Sequence, residues 1–352
     1  MEFGSWKLEF ARGQCPHWEI TYMNEKDVTG INILDLPWRE AREAVETGAP
    51  VYLLVNPVEY HGPHLSLHND PLVAAGLARD LHARLSERHP EWKFLATTNI
   101  EAGVEPCCGP GSRPVSFQDM RTLVRTACAA LAELGAKRVI IMTFHGGPLH
   151  NIALHEGAML LESKGIRAFN SLNLLLKEML TLDTAEFAEV CDHVPEPDRT
   201  EMLKKMKYDF HSGFFETSMA LNYAPWSVSE IHKKLPPCPE PVPDRAAAVI
   251  AGILRGLGMK EAADELFFAS VGMGWYKIRP FTAYTGRPAW ATAKAGSIFA
   301  KKIVDRYAEC AEDLFAGKRK PPEPIMKWLP ALSLGGRILS PTVPLEEIAT
   351  YR

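Results

Sequence analysis

Short hydrophobic runs alternate along the chain with amphipathic segments, which is the pattern of strands followed by helices. Val51–Val55 and Arg138–Phe144 are almost purely apolar, as expected for strands that are buried on both faces of a parallel sheet. Each run is followed by apolar residues at helical spacing, over Pro71–Leu85 and roughly Asn151–Ser163. This repetition of strand, loop and helix predicts a three-layer α/β/α sandwich around a mostly parallel central sheet.

Further segments extend the same pattern. Trp92–Thr97 and Ile166–Asn170 are strand candidates. Helices are predicted over Phe117–Leu134, Ala247–Leu257 and Ala289–Leu314. Together these elements supply enough strands and helices for one large α/β domain.

We divide the chain into one central domain with a segment on either side. We predict an N-terminal extension over 1–30, one domain over 31–318 and a C-terminal tail over 319–352. A charged, irregular segment at about 180–207 is predicted to be an insertion that forms a lid or an oligomer contact.

Charge and cysteine content narrow the class of protein. A net charge of −4 over 352 residues gives no basic surface for nucleic acid or anionic lipid. No apolar run approaches the length of about 18 residues that spans a bilayer. The seven cysteines are scattered and odd in number, which favours a reducing, cytoplasmic compartment over a disulfide framework.

The loop after the first strand contains side chains that commonly bind metal ions. Glu59 and His61 are one residue apart, so in extended backbone both point to the same side. Carboxylate and imidazole ligands suit Zn²⁺, and also Mn²⁺ or Fe²⁺. Asp70 follows, directly before Pro71. Considered alone, the first pair is better explained as a hydrogen-bonded polar loop, and Asp70 could be a plain helix N-cap.

Two more polar clusters follow later in the chain. His145 directly follows the second strand, and the carboxyl ends of parallel strands lie at one edge of a sheet. His211 and Glu216 stand five residues apart. Histidine is the natural proton shuttle near neutral pH, whereas Glu216 could be a ligand or a residue that favours the start of a helix.

Together these segments resemble the creatininase (creatinine amidohydrolase) family. The family's E-x-H-G-P-H-L-P, N-G-H-G-G-N and H-A-G-x-x-E-T-S segments correspond to residues 59–66, 143–148 and 211–218. A weaker family segment is similar to residues 286–296. Order and spacing agree from about residue 30 to residue 318.

The resemblance implies a three-layer α/β fold, a homo-oligomer that is often a hexamer, and two divalent metal ions per chain, Zn²⁺ first, with Mn²⁺ or Fe²⁺ as alternatives. It also implies that Asp70 bridges the ions and that His211 is the acid/base residue. A hydroxide between the ions would then hydrolyse a non-peptide C–N bond of a lactam, cyclic amide or formamide. The implied metal ligands are Glu59, His61, Asp70, His145 and Glu216.

The substrate is a small molecule whose identity the sequence leaves open. Creatinine-cleaving members carry a glutamate two residues past the metal-binding histidine, where this chain has Gly147. Family members that cleave a peptide terminus or open a cyclic ketone are the alternative, and a non-catalytic metal- or ligand-binding protein is a third possibility. The predicted substrate-contacting residues are Cys108, Ser112, Trp226, Trp275 and Tyr276.

Overall fold

The computed structural model describes residues 30–338 and 341–350. Its strands are β1 (Ile31–Asn32), β2 (Val51–Asn56), β3 (Leu95–Ala96), β4 (Ile100–Glu101), β5 (Arg138–Met142) and β6 (Arg167–Asn170). They form one six-stranded sheet in the order β1-β3-β2-β5-β6, and β4 pairs with the end of β2. Every strand pair is parallel.

Helices follow or flank these strands throughout the described residues. The α-helices are α1 (Trp38–Glu46), α2 (Asn69–Ser86), α3 (Phe117–Leu134), α4 (Pro148–Ser163), α5 (Leu172–Leu180), α6 (Asp198–Lys205), α7 (Phe214–Tyr223), α8 (Arg245–Gly256), α9 (Lys260–Trp275), α10 (Ala293–Phe315) and α11 (Leu329–Leu332). The 3₁₀ segments are Ile33–Asp35, Thr184–Cys191, Met206–Tyr208, Pro225–Ser227, Glu230–Lys234, Pro288–Trp290 and Leu345–Glu347.

Alternate residues of the central strand β2 enter two separate hydrophobic clusters. Tyr52 and Leu54 pack into a cluster with residues of α2, α7 and α10. Leu53 and Val55 pack into a second cluster with residues of α3 and α4 on the opposite face. Because successive side chains of a strand point to opposite faces, the sheet lies between two helical layers. The predicted three-layer α/β/α sandwich with a mostly parallel sheet is therefore confirmed.

Element boundaries differ from the predictions in a few places. The predicted strand Trp92–Thr97 contracts to β3, because Trp92 closes a turn through its backbone hydrogen bond to His89. The helix predicted from Ala289 begins as α10 at Ala293, after a 3₁₀ turn that includes Trp290. Helix α9 is missing from the sequence prediction, since its apolar residues lack a clear helical period.

The charged segment at 180–207 is well packed on its apolar side. It contains a 3₁₀ helix, Thr184–Cys191, followed by α6. Phe187 is buried and its ring lies 5.7 Å from that of Phe299 on α10. Buried Met202 extends the same cluster. The charged residues of this segment thus accompany an apolar face that joins the core, and its role as an insertion stays a prediction.

The described part of the C-terminal tail also packs onto the domain. Ile348 pairs with Phe281 in a parallel bridge, and the Phe281 backbone N–H donates to the Glu347 carbonyl at 2.7 Å. Val343 and Ile348 are buried in a cluster that also contains Trp275. None of the helices in the described residues is long and apolar enough to cross a membrane.

Candidate metal-binding active site

The loops that follow β2 and β5 begin side by side at one edge of the sheet. Leu54 and Met142 are paired in register near the ends of these strands. Just beyond them, Asn56 Oδ1 accepts a hydrogen bond of 2.9 Å from the Phe144 backbone N–H. The two loops with predicted metal ligands therefore start from adjacent strands, at the edge where α/β proteins bind ligands.

Three predicted ligands meet in a first buried group at this edge. His145 Nδ1 lies 2.7 Å from Glu59 Oε2 and 3.6 Å from Asp70 Oδ2. One ligand atom from each of the three residues lies within 4.8 Å of the others, and all three residues are buried. Residues distant in sequence thus form a compact set of one nitrogen and two oxygen donors.

A second group shares Asp70 with the first. His61 Nε2 lies 3.0 Å from Asp70 Oδ1 and 3.6 Å from Glu216 Oε2. The two oxygens of Asp70 therefore point toward different imidazoles, Oδ1 toward His61 and Oδ2 toward His145. This is the arrangement that a carboxylate needs if it is to bridge two cations.

Asp70 does not cap helix α2. The helix begins at Asn69, so Asp70 is its second residue, and the cap position belongs to His68 without a side-chain cap hydrogen bond. Among the described residues, no group other than the imidazoles that face it can donate a hydrogen bond to either oxygen of Asp70. The N-cap interpretation of Asp70 is therefore wrong.

The hydrogen bonds of the two imidazoles determine which nitrogen is available to a cation. His145 Nε2 lies 2.8 Å from the Val104 carbonyl, and His61 Nδ1 lies 3.1 Å from the Glu59 carbonyl. A carbonyl oxygen can only accept, so each of these ring nitrogens carries a proton. In the neutral ring that binds a cation, the nitrogens that face Asp70 are therefore acceptors, which is the usual arrangement of metal-binding histidines.

The carboxylates of the cluster raise the pKa values of both imidazoles. Burial opposes protonation of His61, but Asp70, Glu59 and Glu216 raise its pKa to about 10. Burial likewise opposes protonation of His145, yet Glu59 and Asp70 raise its pKa to about 9. Burial raises the pKa of Glu216 to about 8. The cluster thus attracts positive charge.

The donor set fits divalent metal ions. In the described part of the chain, Glu59 Oε2 and both oxygens of Asp70 are buried with no possible hydrogen-bond donor other than the imidazoles. Buried carboxylate oxygens without donors are costly unless a cation balances them. Mixed carboxylate and imidazole ligands suit Zn²⁺, Mn²⁺ and Fe²⁺, so the residues present match the predicted type of metal.

His211 lies directly beside the cluster. Its ring stacks on that of His61 with 4.6 Å between the ring centroids. The centroid of the Trp275 ring lies 5.5 Å from that of His211. His211 Nε2 is 3.1 Å from the Tyr60 carbonyl, so this nitrogen donates and Nδ1 faces Glu59 Oε1 at 3.8 Å. Burial holds the pKa of His211 well below its usual value. A neutral imidazole in this position can accept a proton at Nδ1.

The loop Gly103–Pro114 holds the ligands through its backbone. Besides the Val104 carbonyl that fixes His145, the Cys107 backbone N–H donates to Glu59 Oε1 at 2.6 Å. Sequence reasoning predicted substrate contact for Cys108 and Ser112 of this loop and missed its positioning role. Because the contacts use backbone atoms, the side-chain pattern carries no signal for them.

His64, another buried histidine, links the loop after β2 to helix α7. His64 Nε2 lies 2.9 Å from Thr217 Oγ1, which in turn donates to the Ser212 carbonyl at 3.3 Å. Burial lowers the pKa of His64 to about 3, so the ring is neutral. Thr217 directly follows Glu216, so this chain of contacts fixes the start of the helix that carries a predicted ligand.

Comparison with known proteins agrees with this geometry. A family model described as "Creatininase: Creatinine amidohydrolase" matches residues 34–311. The chain belongs to the creatininase family. Its fold is similar to that of a solved structure named "Creatininase Mn", at 17% identity, covering 81% of this chain and 99% of that chain, with a TM-score of 0.53. No curated protein sequence matches the chain.

Two further solved structures show the same similarity. A mutant creatininase of Zn-Zn type is 16% identical, with 81% and 99% of the two chains covered and a TM-score of 0.53. A mutant creatininase complexed with creatine is 16% identical, with the same coverage and a TM-score of 0.52. The predicted creatininase fold and the assignment to a family of metal-dependent amidohydrolases are thus confirmed, whereas the individual site residues stay predictions.

In this creatininase-family chain, the predicted substrate-contacting residues lie in different environments. Trp275 is buried beside His211. Cys108 Sγ lies 3.3 Å from the Pro341 carbonyl, and Ser112 Oγ donates to the Cys107 carbonyl at 2.6 Å. The ring of Tyr276 stacks on that of Phe281. Trp226 is 68% exposed. Substrate contact by these residues stays a prediction.

Gly147 allows the close approach of His145 to its carbonyl partner. A Cβ at position 147 would lie 2.6 Å from His145 Nε2 and 2.8 Å from the Val104 carbonyl. Both atoms belong to the hydrogen bond that fixes the His145 ring, so a side chain there must displace it. A Cβ at the preceding Gly146 would meet nothing closer than Leu176 Cδ2, at 3.9 Å.

We therefore expect Gly147→Ala to lower metal affinity by about 10–100-fold, the usual cost of disturbing a group that orients a metal ligand. Gly146→Ala is the matched control and should bind metal as the wild type does. Titration with Zn²⁺ against a competing chelator measures both. Equal affinities of the two variants would show that the His145 hydrogen bond does not position a ligand.

Proposed function

We propose that this protein is a divalent-metal-dependent amidohydrolase that cleaves a non-peptide C–N bond in a small molecule. The observation that carries the proposal is the position of Asp70. Its two buried oxygens point toward two different imidazoles and have no other possible hydrogen-bond donor in the described residues. Such a carboxylate makes physical sense as the shared ligand of two cations.

Two ions would be held by residues of this cluster, Zn²⁺ first, with Mn²⁺ or Fe²⁺ as alternatives. Glu59, Asp70 and His145 would hold one ion, and His61, Asp70 and Glu216 the other. When bound, such ions lower the pKa of water to about 7 and polarise a carbonyl group. Solved neighbours named as manganese and Zn-Zn creatininases are consistent with this choice of metals.

His211 would move protons during the reaction. Its Nε2–H is fixed on the Tyr60 carbonyl, and its Nδ1 faces the cluster as an acceptor. This nitrogen can take a proton from water and return it to the leaving nitrogen, which would otherwise depart as an unstable amide anion. Trp275, beside the His211 ring, shields this transfer from bulk water.

Burial of the site supports a small substrate. The predicted ligands and His211 are each at most 8% exposed, so a large substrate would require extensive opening. Creatine, bound in one solved neighbour, is a small molecule as well. Lactams, cyclic amides and formamides are the proposed classes. Creatinine is not the proposed substrate, because creatinine-cleaving members carry a glutamate where this chain has Gly147.

The cellular compartment and the oligomeric state of the enzyme are part of the same proposal. We infer a reducing, cytoplasmic compartment, supported by the six cysteines in the described residues, which are all free thiols. A homo-oligomer, with the hexamer as the expected form, follows from membership of the family alone.

A substrate panel tests the proposal. Metal-loaded enzyme is incubated with lactams, cyclic amides, formamides, short peptides and cyclic ketones, and products are followed by mass spectrometry. We expect a gain of one water by a compound of the first three classes, and a turnover about 10²–10⁴-fold lower with His211→Ala. Turnover of peptides or cyclic ketones alone would replace the proposed bond, and no turnover by fully loaded enzyme would favour a binding protein.

A further inference from the structure

Helix α7 begins in an unusual way beside the candidate metal site. Its cap position is occupied by Gly213, which has no side chain to accept from the first N–H groups. Instead, Asp209 reaches forward from four residues before the cap, and its Oδ2 accepts from the Phe214 backbone N–H at 2.9 Å. Asp209 is only 7% exposed, so this carboxyl group lies inside the protein.

Glycines on both sides make room for this carboxyl group. A Cβ at Gly213 would overlap Asp209 Oδ1, and a Cβ at Gly286 would lie 2.5 Å from Asp209 Oδ2. Gly286 also has a φ of +59°, a conformation that L-residues with side chains rarely adopt. The loop 209–213 and the segment around Gly286 are therefore shaped closely around the Asp209 carboxyl group.

The loop held by Asp209 contacts the predicted chemistry at two points. The Ser212 backbone N–H donates to Glu216 Oε2 at 2.7 Å, and this is the oxygen that faces His61. His211 exchanges backbone hydrogen bonds with Thr285, donating to Thr285 Oγ1 at 3.2 Å and accepting from the Thr285 N–H at 2.8 Å. A shift of this loop would thus move a predicted ligand and the predicted proton shuttle together.

From these contacts we infer that Asp209 is a positioning residue, which holds the loop 209–213 so that Ser212 orients Glu216 and His211 stays stacked on His61. It acts through these residues and does not itself contact the reacting atoms. The inference rests on the proposed function for its catalytic meaning, but the loop geometry on which it stands is independent of any metal.

Asp209→Ala removes the acceptor, and Asp209→Asn keeps an oxygen in the same place. Asp244→Ala is the matched control, because Asp244 caps helix α8 by accepting from the Ala247 N–H at 3.2 Å. Both alanine variants lose a carboxylate helix cap. Only Asp209→Ala should alter the site.

Hydrogen exchange of the metal-free proteins is the first measurement. We expect the amides of residues 210–216 to exchange at least about 10-fold faster in Asp209→Ala, since local opening of a loop governs its exchange. The exchange rates of strand β2 should be unchanged in this variant. Over residues 210–216, Asp209→Asn should exchange at close to the wild-type rate, and Asp244→Ala should exchange at the wild-type rate. If the amides of residues 210–216 exchange at the wild-type rate in Asp209→Ala, the inference is overturned.

Cobalt titration, followed by visible absorption, is the second measurement. In Asp209→Ala the ion held through His61 and Glu216 should bind at least about 10-fold more weakly, while the ion held through Glu59 and His145 keeps its affinity. A general loss of stability would not separate the two ions in this way. Wild-type protein that binds no Co²⁺ would refute the metal proposal, and the exchange result would still decide the role of Asp209.

Discussion

Replacing Asp70 with alanine is expected to abolish binding of both metal ions and the hydrolytic activity with it. Disturbing a residue that merely orients a ligand costs about 10–100-fold in metal affinity. Asp70 faces both imidazoles, at 3.0 Å and 3.6 Å, so its loss should exceed that range for both ions. The same variant should lose the thermal stabilisation that Zn²⁺ or Mn²⁺ gives to the wild type.

The control for Asp70→Ala is Asp80→Ala, which removes an exposed carboxylate from the same helix. It should bind metal as the wild type does. Asp70→Asn, which keeps one oxygen, should retain at most one ion. A helix cap is worth only about 1 kcal/mol, so a small change in stability with full metal binding would reduce Asp70 to a structural residue.

The second large effect is expected for His211. His211→Ala should keep metal binding and lower turnover by about 10²–10⁴-fold, the usual contribution of a positioned acid or base. The ring stacks on His61 and its Nδ1 faces the cluster. The measurement is metal content and turnover on the same preparation, because only their comparison separates a proton shuttle from a ligand.

His193→Ala is the matched control, since it removes an exposed histidine and should change neither quantity. A different outcome has a structural basis as well. Glu59, His61 and His211 offer ligand atoms that lie within 4.8 Å of one another. If His211→Ala loses an ion together with its activity, His211 is a metal ligand, and the assignment of the proton shuttle to this residue is wrong.

The sequence predicted the parts of the fold that depend on burial. Val51–Val55 and Arg138–Phe144 lie almost entirely within β2 and β5, because strands covered on both faces must be apolar throughout. Helix α9 was missed, because its buried positions include the polar residues Glu265 and Ser270, so its apolar residues lack a clean helical period. Residue patterns report burial, and they report little where both faces of a helix are mixed.

The site was predictable as a set of side chains and much less as a geometry. Glu59, His61 and His145 follow strands, and the carboxyl ends of parallel strands lie at one edge of a sheet, so these residues are expected to lie together. Asp70 remained ambiguous until its oxygens were seen to face two imidazoles, because a carboxylate near a helix start fits a cap and a ligand equally well.

The supporting contacts were beyond sequence reasoning for a physical reason. The backbone carbonyl of Val104 and the backbone N–H of Cys107 orient His145 and Glu59, and any residue type supplies such groups. Asp209 does act through its side chain, but its partner is the N–H of Phe214 and its space comes from glycines. Such contacts emerge only when the loop conformation is known.

Metal content is the measurement that tests the central claim most directly. Protein is purified without chelator, and its metal content is measured by inductively coupled plasma mass spectrometry. It is then titrated with Zn²⁺ and with Mn²⁺ while thermal unfolding is followed. The account predicts two divalent ions per chain at saturation and a melting temperature that rises with metal concentration. A metal content near zero, together with a melting temperature that neither ion changes, would contradict it.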